Sequence, residues 1–284
     1  MPAGRARIER PIYFHEGPLL RRKDVSVEAE FATAKLRARR LKRTEARDLW
    51  HVIVDASAVR YRELWGFLHP DLDHMYHADF GRGVDFYFCG LAPQARLPLR
   101  AYHAGMFFKN GVPLGYFEGL SLFDRMEAGF NLYYTFREGE TAWLYARALK
   151  LFRERLGIQC FSIDPYQIGN ENEEAIESGA FWFYRKLGFR PATADAARLA
   201  SAEERKLSTR PDYRTPASVL RKLAASPMLY GESKWANFSA VDAALRADRK
   251  RQLPWTREVL RAKYAAEETE FLRLSLQNAP GSAR

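Results

Sequence analysis

Cysteine is scarce in this chain: two occur in 284 residues, Cys89 and Cys160, each inside an apolar, strand-like run. A disulfide framework is excluded, and buried free thiols in a reducing cytoplasm are expected. An apolar run approaching about 18 residues is also missing, so no transmembrane helix is expected. The first ten residues carry charge with no apolar core behind them, which excludes a secretory signal there. Several motifs fail by one residue. Gly81-Arg82-Gly83 has Phe86 where a dinucleotide fingerprint needs its third glycine, and Gly119-Leu-Ser121 has Phe123 where a nucleophile elbow needs its second. The segment His69–Asp79 holds three histidines and three aspartates but neither a zincin nor an EF-hand pattern. It reads as a loop entering a short helix, on which His74 and His77 could share a face, and no metal is expected. Repeats, low-complexity tracts and RNA-recognition, zinc-finger or helix-turn-helix signatures are absent as well.

What the chain has is apolar and aromatic content, at 47% and 14%, enough for a buried core. Its net charge of +10 is unevenly placed. Residues 1–66 hold 15 Lys/Arg against 9 Asp/Glu, residues 67–190 hold 13 against 15, and residues 191–284 hold 17 against 11. A nearly neutral centre, 67–191, is thus flanked by a basic N-terminal segment, 1–66, and a basic C-terminal extension, 192–284. In the first, apolar residues Phe31, Ala34, Ala38, Leu41, Leu49 and Ile53 fall largely at three- and four-residue steps, which predicts a helical pattern from Glu28 to about Trp65, with Asp55-Ala-Ser57 as a point of interruption. Lys35–Arg43 places six cations in nine residues, the wet face of that helix or a grip for a polyanion. In the second, helices are expected over 195–207, from Thr215-Pro216, from Ser239 and from Thr256 to about Leu276.

The centre is ordered as strand, strand, strand, helix, strand, helix. Asn110-Gly111 predicts a tight hairpin between Tyr102–Lys109 and Val112–Phe123. Gly129–Phe136 reads as a third strand, Trp143–Leu156 as a helix stopped by Gly157, Ile158–Ile163 as a buried strand, and Glu173–Leu187 as a helix ended by Gly188. A mixed α/β sheet follows. A helix beginning at Thr141 carries about half a positive charge and unpaired amides at Thr141, Ala142 and Trp143, which favour a phosphate, and Arg137 adds a cation. Glu138 and Glu140 in the same turn oppose this unless they point elsewhere.

The run Glu177-Ser-Gly-Ala180-Phe-Trp-Phe183-Tyr184-Arg-Lys186-Leu187-Gly188-Phe189 resembles the closing helix of the GCN5-related N-acetyltransferases, with Ala180, Tyr184, Lys186, Leu187, Gly188 and Phe189 in place. Arg137-Glu-Gly139-Glu-Thr-Ala142 is similar to that family's pyrophosphate turn, keeping the arginine and alanine, with Glu140 for the first glycine. The resemblance covers roughly 90 residues. It implies an acyl-CoA N-acyltransferase-like fold and acetyl-CoA, or another acyl-CoA, as co-substrate. It implies cofactor contacts from Tyr134 and Phe136 along the strand edge, from Arg137, Gly139, Thr141, Ala142 and Trp143 at the turn, and from Asn170 in the following loop. Tyr184 would be the acid that protonates the departing thiolate, and Glu118, or Glu127, the base for an amine acceptor of small-molecule or protein origin. The family continues with a hairpin after its Gly-Phe, and here Phe189-Arg-Pro191 opens one strand at most. The other reading is a catalytically silent domain of this type, a scaffold whose basic helical flanks touch a protein or a polyanion.

Overall fold

The computed structural model describes residues 15–59, 65–97, 100–133, 136 and 140–231. The chain forms two compact units, Met1–Leu122 with Ala128–Gly157, and Phe123–Glu127 with Ile158–Arg284. These divisions fall elsewhere than the composition shifts near 66 and 191.

The first unit contains α1 (Val27–Ala32), β1 (Ala38–Arg40), α2 (Arg43–Ala58), α3 (Trp65–Leu68), β2 (Tyr76–Gly81), β3 (Val84–Gly90), β4 (Ala101–Lys109), β5 (Val112–Leu122), most of β6 (Arg125–Leu132) and α4 (Thr141–Leu156). Strands β1 to β5 pair antiparallel in chain order. The β4–β5 turn is as read: Asn110 and Gly111 have φ of 51° and 79°, the positive pair a two-residue hairpin requires. Alternation along the strands makes two cores. Tyr87, Cys89, Ala104, Met106 and Phe108 face Leu49 and Ile53 of α2. Phe86, Phe107 and Phe117 face the other way, where Phe86 and Phe117 meet the Phe152 ring of α4 at 6.2 and 5.0 Å. Gly105 is glycine because a Cβ there would stand 2.2 Å from the Phe86 ring.

The N-terminal helical pattern forms as two helices, α1 and α2, with an extended segment between them. Thr33 ends α1 with extended backbone, its hydroxyl donating to Glu30 O at 2.8 Å. Leu36 and Leu41, 7% and 3% exposed, then reach the core from an extended segment, with Leu36 N donating to Glu154 Oε2 at 2.9 Å. The helical spacing of Ala34 and Ala38 is therefore coincidental, because tertiary pairing of β1 with β2 outweighs it. Lys35–Arg43 is correspondingly a loop, a short strand and a helix start. His69–Asp79 is likewise corrected: after a single 3-10 turn at Leu72–His74 it becomes β2. His74 and His77 share no helical face; His74 Nδ1 pairs with Asp71 at 3.0 Å and His77 Nε2 with Asp85 at 2.6 Å.

The second unit contains β7 (Cys160–Ile163), α5 (Pro165–Ile168), α6 (Glu173–Glu177), α7 (Ala180–Lys186), β8 (Arg190–Pro191), α8 (Ala194–Thr209), α9 (Ala217–Ala224) and β9 (Met228–Gly231). The first residues of β6, Arg125–Glu127, pair parallel with Cys160–Ser162. The helix expected over 173–187 is two helices, broken at Gly179 in the left-handed region at φ 67°. Proline 216 is the N-cap of α9 and Ala217 its first residue, while Thr215 accepts from Trp182 Nε1 at 3.1 Å instead of capping. The region after Pro191 is not purely helical. Strand β9 pairs antiparallel with both β7 and β8, so a strand pair does follow Gly188-Phe189, with α8 and α9 inserted between its members. The helices expected from Ser239 and Thr256 lie outside the described residues.

Candidate functional site

The best-defined constellation in the first unit surrounds the start of α4. Glu140 is its N-cap residue, and its carbonyl accepts the first helical bond from Leu144 N at 2.9 Å. Its side chain makes no cap bond to the helix amides. The carboxylate instead accepts from Arg82 Nε at 2.5 Å, Lys109 Nζ at 2.9 Å and Leu20 N at 3.2 Å, and is 3% exposed. Burial alone would raise its pKa, but the bonds from Lys109, Leu20 N and Arg82 outweigh that and hold it below the ordinary carboxylate value. The opposition foreseen between a glutamate and a phosphate at this turn is thereby removed for Glu140. Its carboxylate makes no bond to the helix amides and is answered by two cations.

Hairpin register brings those cations together. Arg82 sits at the tip of the β2–β3 turn with φ 57°, and Lys109 at the end of β4. Val84 pairs with Lys109, and Asn110 N donates to Gly83 O at 2.8 Å, so the two tips lie side by side. The guanidinium of Arg82 also stands 5.8 Å from the Trp143 ring centroid, with Arg147 at 5.7 Å. Neither Arg82 nor Lys109 is a site residue in the sequence reading. The signal available was a cation at each of two adjacent hairpin turns.

Of the residues expected to hold cofactor, Thr141, Ala142 and Trp143 form the first turn of α4; Thr141 is half-buried, Ala142 4% exposed and Trp143 7%. Phe136 donates its amide to Tyr133 O at 2.9 Å just before this turn. Tyr134, Arg137 and Gly139 lie outside the described residues. Glu118 follows Phe117 on β5 and so leaves the sheet on the α2 face, opposite α4, where the Tyr102 hydroxyl donates to its carboxylate. Burial, then the Glu118 charge, raises the Tyr102 phenol far above its usual range.

Tyr184 and Asn170 belong to the second unit. Tyr184 lies on α7, 4% exposed, with the Phe183 and Phe189 rings at 5.1 and 5.8 Å. Burial raises its phenol pKa, which keeps it protonated at neutral pH and makes it a weaker acid. Asn170 is exposed, its backbone amide donating to Pro165 O at 2.9 Å. Glu127 pairs with Ser162 in the β6–β7 ladder.

Among the described residues no group of three or more His, Cys, Asp or Glu is placed to hold a metal ion, and no helix is long and apolar enough to cross a membrane. Cys89 and Cys160 are buried free thiols. No protein-family model matches the chain, and no curated protein matches it.

Proposed function

We propose that this chain is an acyl-CoA-dependent N-acyltransferase of the GCN5-related type, transferring an acyl group, acetyl in the simplest case, to an amine. The observation that carries this reading is the start of α4, where the side chain of the N-cap residue Glu140 makes no bond to the helix amides and is held instead by Arg82 and Lys109. Such an end suits a diphosphate, held by the amides of the first turn. Two features of the second unit support it. A parallel β6–β7 ladder only three residues long follows the strand–helix unit, and the β8–β9 strand pair follows Gly188-Phe189.

In the reaction the amine nitrogen attacks the thioester carbonyl carbon, the C–S bond breaks, the nitrogen loses a proton and the thiolate gains one. The family resemblance alone gives Tyr184 the proton donated to sulfur and Glu118 the proton taken from nitrogen. Acyl transfer is measured as free thiol released from acetyl-CoA over a panel of small primary amines and peptide N-termini. Tyr184→Phe is expected to lower kcat about 100-fold, the scale of general-acid catalysis, with KM for acetyl-CoA little changed. An unaltered kcat removes Tyr184 from the chemistry.

A second reading is favoured by the burial of Tyr184 and the engagement of Glu118 by Tyr102: a domain that holds an acyl-CoA, or only a partner, without catalysing transfer. It predicts acetyl-CoA binding with no thiol release from any amine. For a polyanion partner the basic run is partly spent, since Arg39 pairs with Glu45, and Arg43 and Arg40 bond the Asp73 side chain and carbonyl. Lys35, Arg37 and Lys42 remain exposed along it.

A further inference from the structure

A cavity of about 530 Å³ opens in the first unit where the ends of β2, β3 and β4 meet the last turn of α4. That volume falls within the range of small-molecule sites. It lies at the opposite end of α4 from Thr141, about 22 Å away at 1.5 Å per residue, so it is separate from the diphosphate site and does not rest on the acyl-transfer reading. One wall is apolar and flat. The Tyr76 and Phe88 rings stack at 5.5 Å, and both line the cavity. At the same cavity Leu97 and Leu156 are 36% and 43% exposed, apolar surface that a ligand would cover.

The polar lining is cationic. Its cations are Arg96 and Arg100, with Asp71 as the one acid among the described lining residues. Asp71 is occupied: it accepts from His74 N at 3.2 Å, His74 Nδ1 at 3.0 Å and Arg96 Nη2 at 3.4 Å. Arg96 is held on its inner side by this bond and by Nε donating to Leu91 O at 3.3 Å, yet its side chain is 59% exposed. Three of its five N–H bonds are therefore left on a guanidinium already fixed in place. His103 lines the same space with Nε2 2.7 Å from Ser121 Oγ, and burial pushes its pKa down to about 4, so it is neutral at pH 7.

We infer that this cavity binds a small monocarboxylate with an aromatic or branched-alkyl body, its carboxylate on Arg96 and its apolar part against Phe88, Leu97 and Leu156. A guanidinium beside apolar walls favours an anion with an apolar body, and a cationic ligand would meet like charge. A neutral ligand of the same shape would forgo the charge-assisted bond.

Calorimetric titration of the full chain with 3-phenylpropionate, compared with 3-phenylpropionamide, tests this. The acid is expected to bind one-to-one, and the amide about tenfold more weakly or worse. Arg96→Met is expected to remove that preference. Because Arg96 also touches Asp71, Leu156→Asp at the exposed mouth provides a second variant, expected to weaken the acid about tenfold by repulsion while the fold is kept. Absence of saturable binding at millimolar acid, equal affinity for acid and amide, or unchanged affinity in Leu156→Asp would each overturn the assignment.

Discussion

Glu140→Gln is expected to cost about 3 kcal/mol of folding stability at pH 7, because it leaves two cations without their shared counter-charge in a largely buried setting. The side chain is 3% exposed, whereas Arg82 and Lys109 keep 23% and 16%, which places the cost at the lower end for a broken buried pair. Glutamine can still accept one hydrogen bond but turns an amide N–H toward the other cation. The expected signature includes pH. The folded carboxyl titrates below its ordinary value near 4.5, so its contribution is present above that pH and lost as pH falls through the lowered value. The gap between wild type and variant should therefore be full at pH 7 and close below pH 4.5, read by denaturant melts across that range. A variant as stable as wild type at pH 7, or a gap that ignores pH, would show that Glu140 does not anchor the start of α4.

Lys150→Met is expected to have a similar cost, about 3 kcal/mol, for a different reason. Lys150 is a fully buried lysine in the middle of α4, and its ammonium satisfies Phe31 O at 3.2 Å, Thr33 O at 2.9 Å and Glu154 Oε1 at 2.8 Å. It thus fastens the end of α1 to α4. Methionine fills the same channel but takes the ammonium away from two carbonyls and from Oε1 of a carboxylate whose other oxygen still accepts from Leu36 N. Glu154→Gln in the Lys150→Met background removes the stranded charge while keeping an acceptor for Leu36 N, so the double variant should be no less stable than Lys150→Met alone. Amide exchange over 31–36 should quicken in the single variant. Wild-type stability in Lys150→Met would contradict this role.

The parts of the fold legible in the sequence are those where local chemistry is decisive. Asn110-Gly111 supplies both positive φ angles of its turn, and Gly157 the left-handed stop of α4 at φ 71°. Tertiary pairing defeated the reading elsewhere. Ala38 and Leu41 keep a helical spacing from Phe31, but β1 needs three extended residues opposite Ala78, His77 and Tyr76. His77 looked like half of a helical pair and is a strand residue bonded to Asp85. Strand β9 lies 37 residues beyond Pro191 in the chain, and nothing local to Met228–Gly231 announces its partners. The site shows the same division. The helix start at Thr141, Ala142 and Trp143 was readable from local sequence, whatever it holds. Arg82 and Lys109 were not, because only hairpin register and a loop return place them on Glu140. Nor could composition show that Tyr184 would be enclosed by Phe183 and Phe189, or Glu118 engaged by Tyr102.

An acyl carrier's diphosphate held on the first turn of α4 would show itself in a thermal melt with acetyl-CoA, paired with Thr141→Glu. Thr141 is half-buried, unlike Ala142, and an acid in the first turn of a helix favours the dipole, so the variant should melt no lower than wild type without ligand. At a hundredfold excess over its dissociation constant, acetyl-CoA should stabilise wild type by about 2.7 kcal/mol, a rise of roughly 5–10 °C, and leave Thr141→Glu where it was. A wild-type melt unmoved by millimolar acetyl-CoA, or an equal rise in both proteins, would contradict the account.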